Sequence, residues 1–298
     1  MKEAIKTIIN NEEYFLIKAF KDHSNYRQSF NDLTKKTYGF DFEEWYQHGY
    51  WTDKYIPYSL LHNDKVVANV SVSNIDFLID GEQLHTIQTG TVMTEEAYRN
   101  KGLSRELINI ILKEYEDKCD LFYLYANDSV LEFYPKFGFV EAEEYSYSRQ
   151  VVNMENKLAN RKLSMDDDKD REIILRLVSD TLPVSRIAMV GNTGLDMFYL
   201  TLFMSNDIYY IEALDLATVV DFEEDNMLLM DAFCDKEFDL DEVIKSLVNK
   251  DTKKVTLGFT PWVDVSYTGE ILKEVGTTFF VRGKNPFQRG RFPILSHA

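Results

Sequence analysis

The 298-residue chain carries 33 basic and 50 acidic residues, a formal net charge of −17, with 45% hydrophobic and 28% charged positions. That composition belongs to a folded chain of about two domains with a sizeable core, not to a disordered one. Residues 1–150 hold 25 acidic and 16 basic residues and the remainder 25 and 17, so neither half is basic enough to grip a phosphate backbone, and nucleic acid is excluded as the main partner.

In chain order, the first 55 residues read as helical: "NEEYFLIKAFKD" and "FEEWYQHGYW" both space apolar residues at helical intervals. After Pro57 the period changes. "YSLLHNDKVVANVSVS" reads as two strands turning at His62-Asn63-Asp64, and "NIDFLIDGEQLHTIQTGTVMT" as a further pair turning at Asp80-Gly81. Three or four antiparallel strands therefore lead into a helix whose face is Leu103, Leu107, Ile108, Ile111, Leu112 and Tyr115. "DLFYLYAN" reads as a buried strand. In "DSVLEFYPKFGF", Asp128 or Ser129 caps a short helix, Pro135 disturbs it and Gly138 ends it. A strand through Tyr145, Tyr147 and Arg149 closes the half. The charge-dense stretch 153–170 marks a boundary, giving domains 1–152 and 153–298. Its triplet Asp166-Asp167-Asp168 reads as a solvated helix entry, with a metal site as the alternative. The second half again mixes strands ("NDIYYIEALDLATVVDFEEDNMLLMDAF"), a helix ("DLDEVIKSLVN") and a strand ("KKVTLGFT"), an order compatible with a weak internal duplication. The fold class expected is α+β.

Little else in the sequence points to chemistry. The histidines, at 23, 48, 62, 85 and 297, never reach metal-ligand spacing, so no metal is expected. Cys119 and Cys234 form no Cys-x-x-Cys pattern, which fits a reducing cytoplasm. With neither a signal-like apolar run nor an 18-residue apolar segment, a cytoplasmic chain without a membrane partner is expected. The acidic balance draws in cationic small molecules such as polyamines or amino sugars, or serves solubility alone.

One loop stands apart. Arg99-Asn100-Lys101-Gly102-Leu103-Ser104 lies between a strand and a helix. The first N–H groups of a helix lack intrahelical partners, the helix dipole adds positive character there, and two basic side chains add full charges. Gly102 lets a ligand approach the backbone. Such a loop suits a pyrophosphate, but it is neither a Walker A sequence nor Gly-x-Gly-x-x-Gly.

Together with Val92-x-Thr94 before it, Tyr98-Arg99-x-x-Gly102 within it, Asn127 after the next strand and Phe133-Tyr134-x-x-Phe137-Gly138-Phe139 beyond, this loop resembles the GCN5-related N-acetyltransferase (GNAT) superfamily over residues 55–150. Ser104 departs from the glycine or alanine usual at its place; its small size preserves the cradle. The layout also resembles the enhanced-intracellular-survival-type acetyltransferases, which pair a functional domain with a degenerate one, and the second half indeed lacks the loop. Tandem GNAT-like domains, each a mixed and mostly antiparallel sheet flanked by helices, are what the resemblance implies.

The resemblance further implies acetyl-CoA as donor and a small cationic primary amine as acceptor. Val92, Met93 and Thr94 would meet the pantetheine arm, Arg99, Asn100, Lys101, Gly102, Leu103 and Ser104 the pyrophosphate, and Asn127 either the cofactor arm or a helix cap. Tyr134 would be the general acid, since a phenol donates at neutral pH. By the same resemblance the carboxylate of Ala298, behind the apolar tail "RFPILSHA", would act as base. Tyr26, Trp45 and Trp51 in the N-terminal helices would flank the acceptor, although core packing is the commoner use of such rings. A homo-oligomer is compatible with the same resemblance, although the letters carry no interface signal. The alternatives are an acyl-CoA sensor without catalysis and an acetyltransferase of protein lysines or N-termini.

Overall fold

The computed structural model describes residues 4–151, 157–262 and 265–297. Where helices were expected at the N-terminus, the chain first forms a hairpin, β1 (Ile5–Ile9) and β2 (Glu12–Lys18), turning through Asn10 and Asn11 at positive φ. "EEYFLIK" places Tyr14 and Leu16 inward, and this alternation is a strand's period although the letters also fit a helix. The helices follow: α1 (Ser24–Tyr38), ended by Gly39 in the left-handed conformation, and the short α2 (Glu43–Gln47).

The central strands are β3 (Tyr55–His62), β4 (Lys65–Ile79) and β5 (Glu82–Thr94), with the two turns at the expected residues. Helix α3 (Leu103–Tyr115) buries all six residues of its expected face, and β6 (Leu121–Ala126) returns parallel to β5. The "DSVLEFYPKFGF" stretch makes two 3-10 turns, Asp128–Val130 and Tyr134–Phe137, and the cap of the first is Asn127, not Asp128 or Ser129. Then come β7 (Val140–Glu141), β8 (Tyr145–Gln150) and β9 (Arg161–Lys162).

In the second half, α4 (Asp168–Asp180) is capped by Asp167, whose carboxylate accepts from the backbone N–H groups of Lys169 and Asp170, so the acidic triplet is a helix entry. No group of three or more possible metal ligands forms among the described residues. Strand β10 (Ile187–Val190), helix α5 (Thr193–Leu202), β11 (Ile208–Ile211), β12 (Leu216–Glu223), β13 (Asn226–Phe233), α6 (Leu240–Leu247), β14 (Lys254–Leu257), β15 (Thr268–Ile271) and β16 (Thr278–Arg282) complete the chain.

The fold is α+β, built on two mixed sheets. The first runs β1-β2-β3-β4-β5-β6-β16-β7, with β10 beside the far end of β4; the second runs β15-β8-β14-β13-β12-β11-β9. Each has one parallel pair joined over a helix, β5-α3-β6 in the first and β13-α6-β14 in the second. The sheets do not divide at residue 152 as the sequence suggested. Strand β8, before that point, pairs with β14 and β15 in the second sheet, and β16, near the end of the chain, pairs with β6 in the first. Sheet edges leave open N–H and C=O rows that pair with whatever strand reaches them, and composition does not record which.

Helix α3 covers one face of the first sheet, packing Leu107 and Ile111 against Leu60, Val70 and Ile87. The other face takes α1 and α2, the second-half helix α5 through Leu195 and Phe198, and the tail residue Phe292. Phe292 is fully buried, its ring 4.2 Å from Phe77 and 4.6 Å from Tyr123 between centroids. A buried Phe contributes about 1.5–3 kcal/mol, enough to hold the tail across the sheet. No helix among the described residues is long and apolar enough to cross a membrane.

Candidate active site

Two irregularities of the first sheet make the site. Strands β5 and β6 pair only from Thr86–Leu121 to Gln88–Tyr123, although β5 runs on to Thr94 and β6 to Ala126. Beyond Gln88 they diverge and leave a cleft. On the other side of β5 the register with β4 slips: Asn69 faces Met93, yet Ser71 faces Gly90, so β5 carries an extra residue around Thr91 and Val92. Thr91 sits at a φ of 47°. Such a bulge kinks its strand and frees backbone groups from the ladder.

Side chains hold the bulge in place. The Asn69 amide donates to the Thr91 carbonyl at 2.9 Å, the Tyr55 hydroxyl pairs with Thr91 Oγ1 at 2.8 Å, and the Tyr38 hydroxyl donates to the Val92 carbonyl at 2.8 Å. A cavity of about 1020 Å³ opens into the cleft. Its lining includes Val92, Met93, Thr94, Arg99, Asn100, Gly102, Leu103, Ser104, Asn127, Tyr134 and Trp45, most of the residues singled out in the sequence.

At one end lies the start of α3. Gly102, at a φ of 78°, is its N-cap and offers no side chain to the helix N–H groups. Asn100, at a φ of 63°, also adopts the left-handed region. Arg99 and Arg105 line the cavity beside these groups, so cationic charge and unpaired donors meet in one place. This set fits a pyrophosphate. Ser104 fits too: its hydroxyl pairs with Thr94 Oγ1 at 2.8 Å and leaves the backbone clear. Lys101 is the exception. It does not line the cavity; its ammonium pairs with Glu12 at 2.9 Å and lies over the Tyr98 ring at 5.2 Å. The loop turns at Asn100, which sends that side chain to the N-terminal hairpin, where Asn10 also donates to the Lys101 carbonyl at 2.8 Å.

Tyr134 stands at the cleft. Its ring packs against Phe133, Phe139 and Phe280 and is 5% exposed. Burial pushes the phenol above its usual range, so it stays protonated. Among the described residues its hydroxyl has no hydrogen-bond partner, and the residue lines the cavity. Asn127 lines it as well, but its side-chain oxygen accepts from the Ser129 N–H at 3.1 Å, so it serves as a cap.

At the other end stand aromatic residues. Trp45 lines the cavity but is only 3% exposed, and its indole N–H donates to the Gly194 carbonyl at 2.7 Å. Trp51 and Tyr26 do not reach the cavity. Trp51 is core, donating to the Tyr55 carbonyl at 3.1 Å, and Tyr26 stacks on His23 at 3.8 Å. Tyr26 lies in α1 as expected, but Trp51 lies in the loop between α2 and β3, not in a helix, and its ring is held in the core.

The tail reaches the same end. The Tyr123 hydroxyl donates to the Ser296 carbonyl at 3.0 Å, the Tyr199 hydroxyl donates to the His297 carbonyl, and the His297 ring stacks on Tyr125 at 3.9 Å. Burial lowers His297 to about 3, so its imidazole is neutral. Behind it Glu144 accepts from the Phe292 N–H at 2.8 Å and from the Tyr125 hydroxyl at 3.1 Å; burial raises its carboxyl to about 7 against the pull of Arg291. The expected base, Ala298, lies outside the described residues.

The sequence reading missed Arg105, Tyr38, Tyr55, Phe198, Tyr199, Phe203 and His297. Arg105 was within reach, being one residue past the loop in the first turn of α3. Phe198, Tyr199 and Phe203 had no signal, because they arrive from the second half of the chain.

Residues 17–142 match the family model described as an acetyltransferase (GNAT) domain. No curated protein matches the chain in sequence. Among solved structures it is similar to a conserved protein of unknown function from Enterococcus faecalis V583, at 13% identity and a TM-score of 0.59, over 90% of this chain and 72% of that one. It is also similar to a GCN5-related N-acetyltransferase from Kribbella flavida, at 15% identity and a TM-score of 0.55, over 90% and 70% of the two chains. A third, Eis1 from Mycobacterium abscessus, aligns at 11% identity and a TM-score of 0.52, over 86% and 71%.

Proposed function

We propose that the chain, whose residues 17–142 match an acetyltransferase (GNAT) domain, is an acyltransferase of the GCN5-related N-acetyltransferase superfamily that moves an acetyl group from acetyl-CoA to a primary amine by direct attack on the thioester, with Tyr134 as general acid. The observation that carries this reading is the meeting of three features in one cavity: the uncapped start of α3, the β5 bulge, and a buried phenol with no other partner.

Arg99, Arg105 and the first N–H groups of α3 would hold the pyrophosphate, and backbone groups of Val92–Thr94 the pantetheine arm. The bound thioester supplies an acyl group open to attack by an amine. The cleft holds the two reactants together, which replaces an encounter in solution by a positioned one. The Tyr134 phenol, kept neutral by burial, donates its proton to the departing sulfur, and the proton shed by the amine nitrogen as the amide forms returns the phenolate to phenol. Backbone N–H groups at the bulge would be the donors for the negative charge that develops on the acyl carbonyl oxygen.

The test is release of free thiol from acetyl-CoA with a panel of amines, with Tyr134→Phe beside the unaltered protein. Amine-dependent release that falls in the variant supports the transferase. Absence of release with every amine, while acetyl-CoA still raises the melting temperature, supports a sensor instead.

A further inference from the structure

We propose that the tip of the N-terminal hairpin completes the pyrophosphate site, with Asn10 both positioning the 99–104 loop and donating to the bound phosphate; the proposal rests on the acetyl-CoA reading above. Asn10 precedes the 17–142 stretch that matches the acetyltransferase domain. The hairpin meets the loop at Lys101, which lies between two left-handed residues, Asn100 at a φ of 63° and Gly102 at 78°. That conformation is costly at a non-glycine residue and persists where neighbours hold it. Here the hairpin holds Lys101 at both ends. Its carbonyl accepts from Asn10 Nδ2 at 2.8 Å, and its ammonium pairs with Glu12 at 2.9 Å. Glu12 accepts in turn from the Tyr14 hydroxyl at 2.6 Å, and Tyr14 is fully buried. Lys101 is thus an anchor for the loop and not a ligand.

The turn that presents Asn10 is itself fixed. Asn10 and Asn11, at φ of 48° and 65°, form the two-residue connection of β1 to β2, a geometry that asparagine and glycine accept. A carbonyl only accepts, so the Asn10 atom facing Lys101 is the amide nitrogen, which carries two N–H groups. The Lys101 carbonyl takes one. The same nitrogen lies 3.7 Å from the place a Gly102 Cβ would occupy, and Asn10 lines the cavity with Arg99 and Gly102. Its second N–H therefore joins the first N–H groups of α3, the donors that no helix carbonyl satisfies. An anion held there meets donors from two distant segments of the chain, and neither has to be ordered at the moment of binding.

The experiment is calorimetric binding of acetyl-CoA to the full chain and to its Asn10→Gly and Asn10→Asp variants, with unliganded melting temperatures measured beside it. Glycine and aspartate both suit the left-handed turn, so the hairpin is kept and only the amide changes. The dissociation constant should rise about tenfold in Asn10→Gly, the factor for one hydrogen bond to a charged group. It should rise about a hundredfold in Asn10→Asp, whose carboxylate repels the phosphate, and the gap between the variants should shrink in high salt. Melting temperatures should stay within about 3 °C of one another. Affinities of both variants within about threefold of the unaltered protein overturn the proposal and leave the acetyl-CoA reading standing. Equal losses in the two variants overturn the direct contact with phosphate. A melting temperature that falls in step with affinity assigns Asn10 to stability and overturns the proposal as well. No acetyl-CoA binding by the unaltered protein overturns both readings.

Discussion

The hydroxyl of Tyr38, the last residue of α1, donates a hydrogen bond to the carbonyl of Val92 at 2.8 Å. That single bond couples α1 to the bulge. Removing it should disturb the geometry of the cleft more than the stability of the chain, because the Tyr38 ring is 45% exposed. A hydrogen bond of this type is worth about 1 kcal/mol, so Tyr38→Phe is expected to lower kcat/KM about fivefold with little change in melting temperature. Steady-state kinetics and a thermal scan check both halves.

Tyr134→Phe separates chemistry from binding. The ring packing against Phe139 and Phe280 survives the change, and only the proton donor is lost. A general acid contributes about 10²–10⁴-fold, so kcat should drop by at least about a hundredfold while acetyl-CoA affinity, read by calorimetry, stays. A kcat within a factor of about three of the unaltered protein removes Tyr134 from the mechanism.

Gly102→Ala tests the α3 cradle. A methyl group there would meet nothing closer than Asn10 Nδ2 at 3.7 Å, an ordinary contact, so the penalty comes from the φ of 78° and not from a clash. Left-handed backbone costs an L-residue about 1–2 kcal/mol. The expected outcome is a loss of acetyl-CoA affinity of about tenfold, with Arg99→Ala acting in the same direction through charge. Both are read by calorimetry.

Gly194→Ala is expected to act on stability instead. An added carbon would lie 2.5 Å from the Tyr50 carbonyl oxygen, a backbone atom that cannot step aside, and Trp45 donates to the carbonyl of this same glycine. The α5 helix would be forced from the first sheet, at about 1–3 kcal/mol by the usual cost of overpacking. Chemical denaturation measures it.

The pair Asp196 and Asp231 sets a pH dependence. Burial raises Asp231 from 3.8 to about 7 against the hydrogen bond from the Ala232 N–H, and burial together with the nearby Asp231 charge raises Asp196 well above its usual value. The folded state then holds protons that the unfolded state releases. Their contribution is fully present below about pH 4 and is lost as pH rises through about 7. Glu144, raised to about 7, acts with the same sign. Denaturation midpoints should fall across this window, and Asp231→Asn should flatten the fall. An unchanged slope in the variant contradicts the assignment.

The legible parts of the sequence were those governed by local rules. The turns at Asn63-Asp64 and Asp80-Gly81 needed only residues that tolerate positive φ, and each of them has it. The six buried residues of α3 follow a 3.6-residue period. The N-terminal hairpin was read as helix because Tyr14, Leu16 and Ile17 satisfy both periods, and the choice between them was made by a neighbour: β2 pairs with β3, far along the chain. Of the site, Arg99, Gly102 and Tyr134 carried their signal in spacing. Lys101, read with the same loop, turned to Glu12, since a side chain's direction depends on backbone angles that letters do not state.

The sequence alone thus determined the α3 loop, the buried tyrosine and the order of strands around them, all products of short-range backbone preference and periodicity. The tertiary structure alone decided the rest. It diverged β5 from β6, placed the bulge at Thr91 under Tyr38 and Tyr55, exchanged β8 and β16 between sheets, and brought Phe198, Tyr199 and Phe203 to the cavity. These join segments far apart in the chain, as where Phe40 meets Phe203. They form because apolar faces and open sheet edges are satisfied by whichever partner closes the core, and no local pattern encodes that partner.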